Sequence, residues 1–452
     1  MTAEAKELPL KKLKELLEQN DLTGVSALLS PLHHSDIAKL IEGVTEDEAV
    51  TVFRLLDNET ASEVVLEIEG ARRELLVSSV SKEELVDIIE EMETDDATDV
   101  ISELPSADAI EVLEGIGAGD AIEVQKLLKY PDDTAGGKMQ AELVAVKEGL
   151  TVRQTIEEVR KKAKEMENIS TVFVVDSSGG FLGTVALDKL ILADEGALIK
   201  DVADRSAVKV TTDLDQEEVA KIFQKYDLIS MAVVNKENRL VGRITIDDIV
   251  DVIEEEMFED FYKMASLNVE ERVLDEPMRS FKLRVPWLLI NLATAFLAAS
   301  VVKLFEGTIE TLVILAVLMP IVAGMGGNAA TQAITVVTRG LALGELDLRH
   351  AKRVLFKESA VGFANGVVTG ALACLVAYLL GAKLMIGVLL FLAMTANLVI
   401  AGFSGAIIPL LLKRFGFDPA VSSSIFVTTC TDIGGFFTFL GLATVFLKIG
   451  II

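Results

Sequence analysis

Histidine and cysteine are scarce in this chain of 452 residues: His33, His34 and His350, then Cys374 and Cys430. So few histidines leave no histidine metal cluster. Both cysteines lie in apolar stretches, which argues against a disulfide framework or a thiolate zinc site. Basic charge is also short, with 42 Lys+Arg against 70 Asp+Glu and a net charge of −28. That balance repels phosphates, so nucleic acid is excluded as a partner. It suits divalent cations or basic partners, although solubility is its plainer use. No nucleophile–base set or metal motif stands out, so no enzymatic chemistry is expected. The N-terminal "MTAEAKELPLKKLKELLEQNDL" reads as a polar amphipathic helix without an apolar signal core. The first 280 residues are therefore expected to stay in the cytosol.

What is present is unevenly spread. The chain is 51% hydrophobic and 25% charged, a pairing that one domain rarely holds. Residues 281–452 carry 12 basic and 7 acidic side chains, a net of +5. The remaining 280 carry 30 and 63, a net of −33. An acidic soluble part is thus joined to a membrane part.

Residues 1–130 read as short capped helices with a loose repeat: "SDIAKLIEGV" at 35, "DDATDVISEL" at 95, "ADAIEVLEGI" at 107 and "GDAIEVQKLL" at 119. None can bury its apolar stripe alone, so stacking into a superhelical all-α domain is expected. "YPDDTAGGKM" (Tyr130–Met139) reads as a linker. Alternating strands and helices follow, repeated at an offset of 59 residues: "ISTVFVVDSSGGFLGTVALDKLI" from Ile169 and "LISMAVVNKENRLVGRITIDDIV" from Leu228. Gly183 matches Gly242, and Asp188 matches Asp247. This α/β repeat resembles a tandem cystathionine-β-synthase (CBS) pair, a module that often binds adenine nucleotides or ions. The nucleotide pattern is met at Gly242, Thr245 and Asp248, whereas the first copy has Ala186 and Lys189, which implies at most one ribose site.

A long helix is predicted over Asp247–Asn268. Asp248, Asp251, Glu255 and Glu259 share one of its faces. A solvated acidic face is the plain reading; a bridging cation that relieves the repulsion is the sharper one. Five apolar stretches of membrane-spanning length follow, about 286–305, 311–338, 354–380, 384–412 and 421–449. Arg339, Arg349, Lys352 and Arg353 follow the second, and Lys413 and Arg414 follow the fourth. The positive-inside rule then places the N-terminus inside and the C-terminus outside.

Two spans carry polar side chains. In the second, Gly324, Asn328 and Gln332 are four apart, with Thr331 beside them. The glycines suit close helix packing, but amides facing lipid would lack partners. The fifth adds Thr428, Thr431 and Asp432. A central Asp in a membrane helix costs about 2.5–3.5 kcal/mol on insertion scales, so it should face a cavity, a partner or a pathway. One carboxylate among hydroxyls and amides is too few for a calcium cage and suits a largely hydrated Mg²⁺. One Asp per chain also suggests a symmetric oligomer presenting it to a common axis. Lys357-Glu358 reads as an interfacial ion pair or anchor.

Taken in order, "YPDDTAGGKM", the CBS pair, the connecting helix, "GMGGNAATQ", "FDPA" at Phe417–Ala420 and "TDIGGF" resemble the MgtE family of bacterial magnesium channels over nearly the whole chain. One departure is Ala329-Ala330 after Gly-Gly-Asn. The resemblance implies a homodimer in the cell membrane whose pore is lined by the second and fifth helices, with Asp432 recognising hydrated Mg²⁺. It implies closure by cytosolic Mg²⁺ bound between an N domain (1–130), the CBS pair (131–250) and a connecting plug helix (251–280), ahead of the transmembrane domain (281–452). The sensor residues by motif position are Asp95, Asp99, Asp227, Asp248, Asp251, Glu256, Glu259 and Asp260, joined by Glu255 from the shared face and by Asp418. ATP enters as a further regulator at Thr245 and Asp248. Two alternatives stay open: transport of another divalent ion such as Co²⁺, Mn²⁺ or Ca²⁺, and a membrane-anchored adenine-nucleotide sensor.

Overall fold

Helices of eight to ten residues are marginal in water, so the N-terminal segments persist by stacking. The computed structural model describes residues 3–68, 70–164, 166, 168–271, 273, 276–421 and 423–452, leaving aside the side chains of residues 3–8 and 423. Residues 1–2 of the predicted N-terminal helix lie outside the described residues. The chain divides into two compact units, Met1–Ile253 and Glu254–Ile452.

The first unit opens with ten helices among the described residues, from Ala3–Glu18 to Ala118–Leu127. The "SDIAKLIEGV" and "DDATDVISEL" repeats become His34–Glu42 and Thr94–Glu103. Capping boxes at Thr45/Glu48 and Ser81/Glu84 satisfy the orphan amides that start two others. Alternate helices touch: His34–Glu42 packs on Asn58–Leu66, which packs on Lys82–Ile89, which packs on Ser106–Gly115. Ile41, Val64, Leu76 and Ile101 are buried in the one core that the whole array shares, each contributing roughly 1.5–3 kcal/mol of burial. This is the superhelical stack that the repeat predicts.

Two three-stranded sheets follow in the same unit. β1 (Val144–Lys147) runs parallel to β2 (Thr171–Val175), which pairs antiparallel with β3 (Phe181–Ala186). β4 (Lys209–Thr211), β5 (Ser230–Val234) and β6 (Leu240–Thr245) repeat that order, down to a bulge at the same place. Gly183 and Gly242 correspond, and each lets foreign backbone approach. A Cβ at Gly183 would stand 2.4 Å from the Asp204 carbonyl, and one at Gly242 2.9 Å from that of Gln140.

The stretch read as a linker, Tyr130–Met139, is a strap seated on the second copy. The amides of Ala135 and Gly136 donate to the carbonyls of Leu214 and Thr212 at 2.7 and 2.9 Å. A Cβ at Gly136 would stand 2.7 Å from the Tyr130 ring, so its glycines serve close packing rather than freedom. Gln140 then pairs with Arg243 of β6.

The second unit holds five helices long and apolar enough to cross a membrane: Pro277–Lys303, Ile314–Ala342, Leu348–Leu379, Leu384–Arg414 and Ser424–Lys448. A short helix that was not anticipated, Glu306–Thr311, joins the first two. The fourth is the hub, half of its most apolar window being buried by neighbours. Water is no driving force between helices in lipid, so small residues set the packing. Cβ atoms at Gly362 and Gly402 would stand 2.2 and 2.3 Å from the Leu398 and Glu358 carbonyls, which locks the third helix to the fourth.

Candidate functional site

In the membrane unit, Asp432 is half-buried on the fifth helix, one turn after the half-buried Thr428. Thr431 is fully buried, donates to the Thr428 carbonyl at 2.9 Å, and lies against Gly326 of the second helix, where a Cβ would stand 3.3 Å from its own. The two helices carrying the polar groups are therefore in direct contact. On the second helix Gly324, Asn328, Thr331 and Gln332 are all exposed, and Thr331 donates to the Gly327 carbonyl at 3.0 Å. A cavity of about 220 Å³ opens beside this stripe, lined by Gln332, Lys357, Glu358 and the exposed Asn365. Lys357 holds the buried Glu358 carboxylate at 2.7 Å.

The sequence reading missed Asn397, the fully buried centre of the fourth helix. Its Nδ2 donates to the Val322 carbonyl at 2.9 Å, and its Oδ1 has no partner among the described residues. Gly326 and Gly435 press on either side of this amide: their Cβ atoms would stand 2.3 and 2.7 Å from Nδ2. One lone amide thus pins the second and fifth helices. An asparagine midway along a 31-residue apolar helix was the available signal.

In the first unit, the start of helix Thr94–Glu103 meets the CBS pair. The Thr94 hydroxyl donates to Glu142 at 2.7 Å and accepts the Ala141 amide at 2.8 Å. Gln140 Nε2 donates to Glu93 at 2.9 Å and to Asp95 at 3.4 Å, and its Oε1 accepts from Arg243 Nε at 2.6 Å. Burial, then repulsion from Asp248, raises the buried Asp95 well above the usual carboxylate range. The same causes push Asp96 up to about 8. Burial pushes Glu93 up to about 7 against the pull of Arg243, and Asp248 to about 6 although Thr245 hydrogen-bonds it. Those Thr245–Asp248 bonds are 2.8 Å from the hydroxyl and 3.3 Å from the amide, so the pair caps the helix Ile246–Met264 from within.

Asp95 and Asp248 are therefore brought together, with Asp99 and Asp251 close enough to repel Asp96 and Asp248 respectively. Asp227 is elsewhere, an exposed left-handed cap (φ 49°) on helix Gln216–Tyr226. In the second unit, Glu259 and Asp418 share Lys263, whose Nζ is 2.7 Å from Asp418. Burial opposes the Lys263 charge, but the two carboxylates outweigh it and hold the ammonium above its ordinary value. Glu255, exposed, and Glu256 and Asp260, partly buried, lie along the same helix. Glu93, Asp96, Gln140, Arg243 and Lys263 went unpredicted, because partners distant in sequence leave no local pattern. Among the described residues, no three His, Cys, Asp or Glu side chains form a group that could hold a metal ion. Mg²⁺ keeps several waters and takes one or two carboxylates, so paired carboxylates still fit it.

An acidic helical array and a CBS pair in one chain with a five-helix membrane unit define a membrane transport protein. The chain matches a family described as a divalent cation transporter, MgtE, over residues 319–442, the MgtE intracellular N domain over 32–133, and a CBS domain over 199–255. It is 33% identical to the magnesium transporter MgtE of Thermus thermophilus, across 96% of this chain and 98% of that one. With the magnesium transporter MgtE of Bacillus subtilis the identity is 28%, over 96% of each. A crystal structure of the cytosolic domain of the Mg²⁺ channel MgtE in complex with ATP aligns with a TM-score of 0.51 at 32% identity, covering 54% of this chain and 99% of that one. The soluble part of a magnesium transporter aligns at 0.50 and 27% identity, covering 56% and 99%. The chain belongs to the MgtE family.

Proposed function

We propose that this chain carries Mg²⁺ across the cell membrane as a homodimer, and that cytosolic Mg²⁺ closes it. The carrying observation is the half-buried Asp432 carboxylate on a membrane helix packed directly against the helix that bears Asn328, Thr331 and Gln332. A carboxylate together with hydroxyl and amide oxygens suits a hydrated divalent ion that keeps its waters. Thr428 lies one turn away on the same helix, and Thr431 sets the contact between the helices. The N-terminus lies in the cytosol and, with five spans, the C-terminus lies outside.

Closure is assigned to paired carboxylates: Asp95, Asp96, Asp99, Asp248 and Asp251 in the first unit, then Glu255, Glu256, Glu259, Asp260 and Asp418 in the second. Burial, and after it the repulsion from Asp248, raises the proton affinities of Asp95 and Asp96; that repulsion is the energy that a bound divalent cation removes. Asp227 is the outlying member of this set. The parts are an N domain over 1–130, a CBS pair over 131–250, a plug helix over 251–280 and a membrane domain from 281. Adenine nucleotide is a second regulator at Thr245 and Asp248, whose mutual bond would open to accept a ribose.

The test is Mg²⁺ influx into proteoliposomes for the wild type and Asp432→Ala. Flux that collapses in the variant is the expected result. Equal flux moves the ion site away from Asp432, and no flux in either at low internal Mg²⁺ favours a nucleotide sensor that transports nothing. Competition by Co²⁺, Mn²⁺ and Ca²⁺ in the same vesicles fixes the selectivity.

A further inference from the structure

Position 243 is where the duplicated CBS halves part company. β3 and β6 match residue for residue, and Arg243 occupies the place of Thr184. The repeat's backbone therefore does not require an arginine. Nonetheless Arg243 is 1% exposed, the largest of the fully buried side chains. Sequestering a guanidinium costs several kcal/mol unless it is paired and hydrogen-bonded, and this one is only partly so. Nε donates to Gln140 at 2.6 Å and Nη1 to the Asn168 carbonyl at 3.4 Å. Nη2 has no hydrogen bond among the described residues and stands 3.9 Å from the Glu93 carboxylate.

We infer that Arg243 is a built-in counter-cation at the meeting of the helical array and the CBS pair, and that it sets the divalent-cation concentration at which they close on one another. The inference rests on the cation-controlled closure proposed above. Two routes carry it. One is direct: a permanent positive charge lies beside Glu93, and arginine cannot lose its proton in a protein, so its contribution is the same at every metal concentration. The other passes through Gln140. By taking that amide's Oε1, Arg243 turns its Nε2 toward Glu93 and Asp95, joining both carboxylates of the helical array to the strap. Arg243 is thus a positioning residue, offsetting part of a repulsion that Mg²⁺ would otherwise relieve alone. The remaining charges facing the same place are Asp96, Glu142 and Asp248, an excess that leaves work for a divalent ion.

The test uses the full chain in lipid nanodiscs. Mg²⁺ is titrated while trypsin cuts after Lys126 and Lys129, and flux inhibition is read in vesicles. Arg243→Met should shift the Mg²⁺ midpoint of protection upward by about tenfold, an ordinary size for coupling between sites. Arg243→Lys should shift it less, Glu93→Gln should lower it, and the double variant should return toward the wild type. Removing one member of a buried ion pair lowers stability, so the melting temperature is read beside the midpoint, and a purely structural role predicts a lower melting temperature with an unmoved midpoint. A wild type that responds to Mg²⁺ alongside an Arg243→Met variant with the same midpoint overturns the counter-cation and leaves the gating intact. If Arg243→Met does not reach the wild-type melting temperature in saturating Mg²⁺, Glu93→Gln decides, and a midpoint not lowered overturns it. A wild type indifferent to Mg²⁺ overturns the gating itself and the inference with it.

Discussion

Asn397 illustrates how much one side chain decides inside the membrane unit. It is enclosed by Gly326 and Gly435 and tied to the Val322 carbonyl, so it has no direction in which to retreat. Gly326→Ala would place a Cβ 2.3 Å from its Nδ2. The expected cost is about 1–3 kcal/mol of overpacking, seen as a lower melting temperature in detergent together with reduced Mg²⁺ flux. Gly327→Ala, one residue on, meets nothing within 4 Å and should leave the melting temperature where it is. A fall of equal size in both would mean that backbone freedom, not contact, is what these glycines supply. The polar stripe of the second helix was legible because Gly324, Asn328 and Gln332 repeat every four residues. Asn397 repeats nothing, and only its neighbours reveal its use.

At the scale of elements, the helix Thr94–Glu103 is made by opposing tendencies. Asp95 and Asp96 in its first turn suit the positive end of the helix dipole, yet burial and crowding favour their protonated forms. Glu93, Asp96 and Asp248 sit at about 7, 8 and 6 when folded, above the ordinary 3.8 to 4.5. The folded state therefore holds protons that the unfolded chain has released. That stability is complete below about pH 4 and is lost as the pH rises through 6 to 8. Calorimetry of the full chain in chelator should show the cytosolic transition falling in temperature from pH 5 to pH 8, and Mg²⁺ added at pH 8 should restore it. A transition that climbs over that range would contradict the crowding. The strands here were legible from the 59-residue repeat, since alternation and turn chemistry are local. The strap at Tyr130–Met139 was not, because its glycines allow a flexible tether and a close-packed turn equally well.

Across the whole molecule, the order of parts could be read from charge and hydropathy: an acidic helical array, a duplicated α/β module, then five apolar spans. Which carboxylates meet could not, since Glu93 and Asp248 stand 155 positions apart and share no periodicity. Removing residues 1–130 takes away Glu93, Asp95 and Asp96 and leaves Gln140 and Arg243 without them. Mg²⁺ flux should survive this deletion while its inhibition by internal Mg²⁺ weakens, as measured in vesicles loaded with graded Mg²⁺. Unaltered inhibition would place the sensor outside the helical array.

Asn328, Gln332 and Asn365 are exposed on membrane helices, and hydrocarbon would offer their amides no hydrogen bonds. A second copy that covers them would make activity a matter of surface density. Transport per chain should then fall as vesicles are made with more lipid per protein, and recover when such vesicles are fused with protein-rich ones.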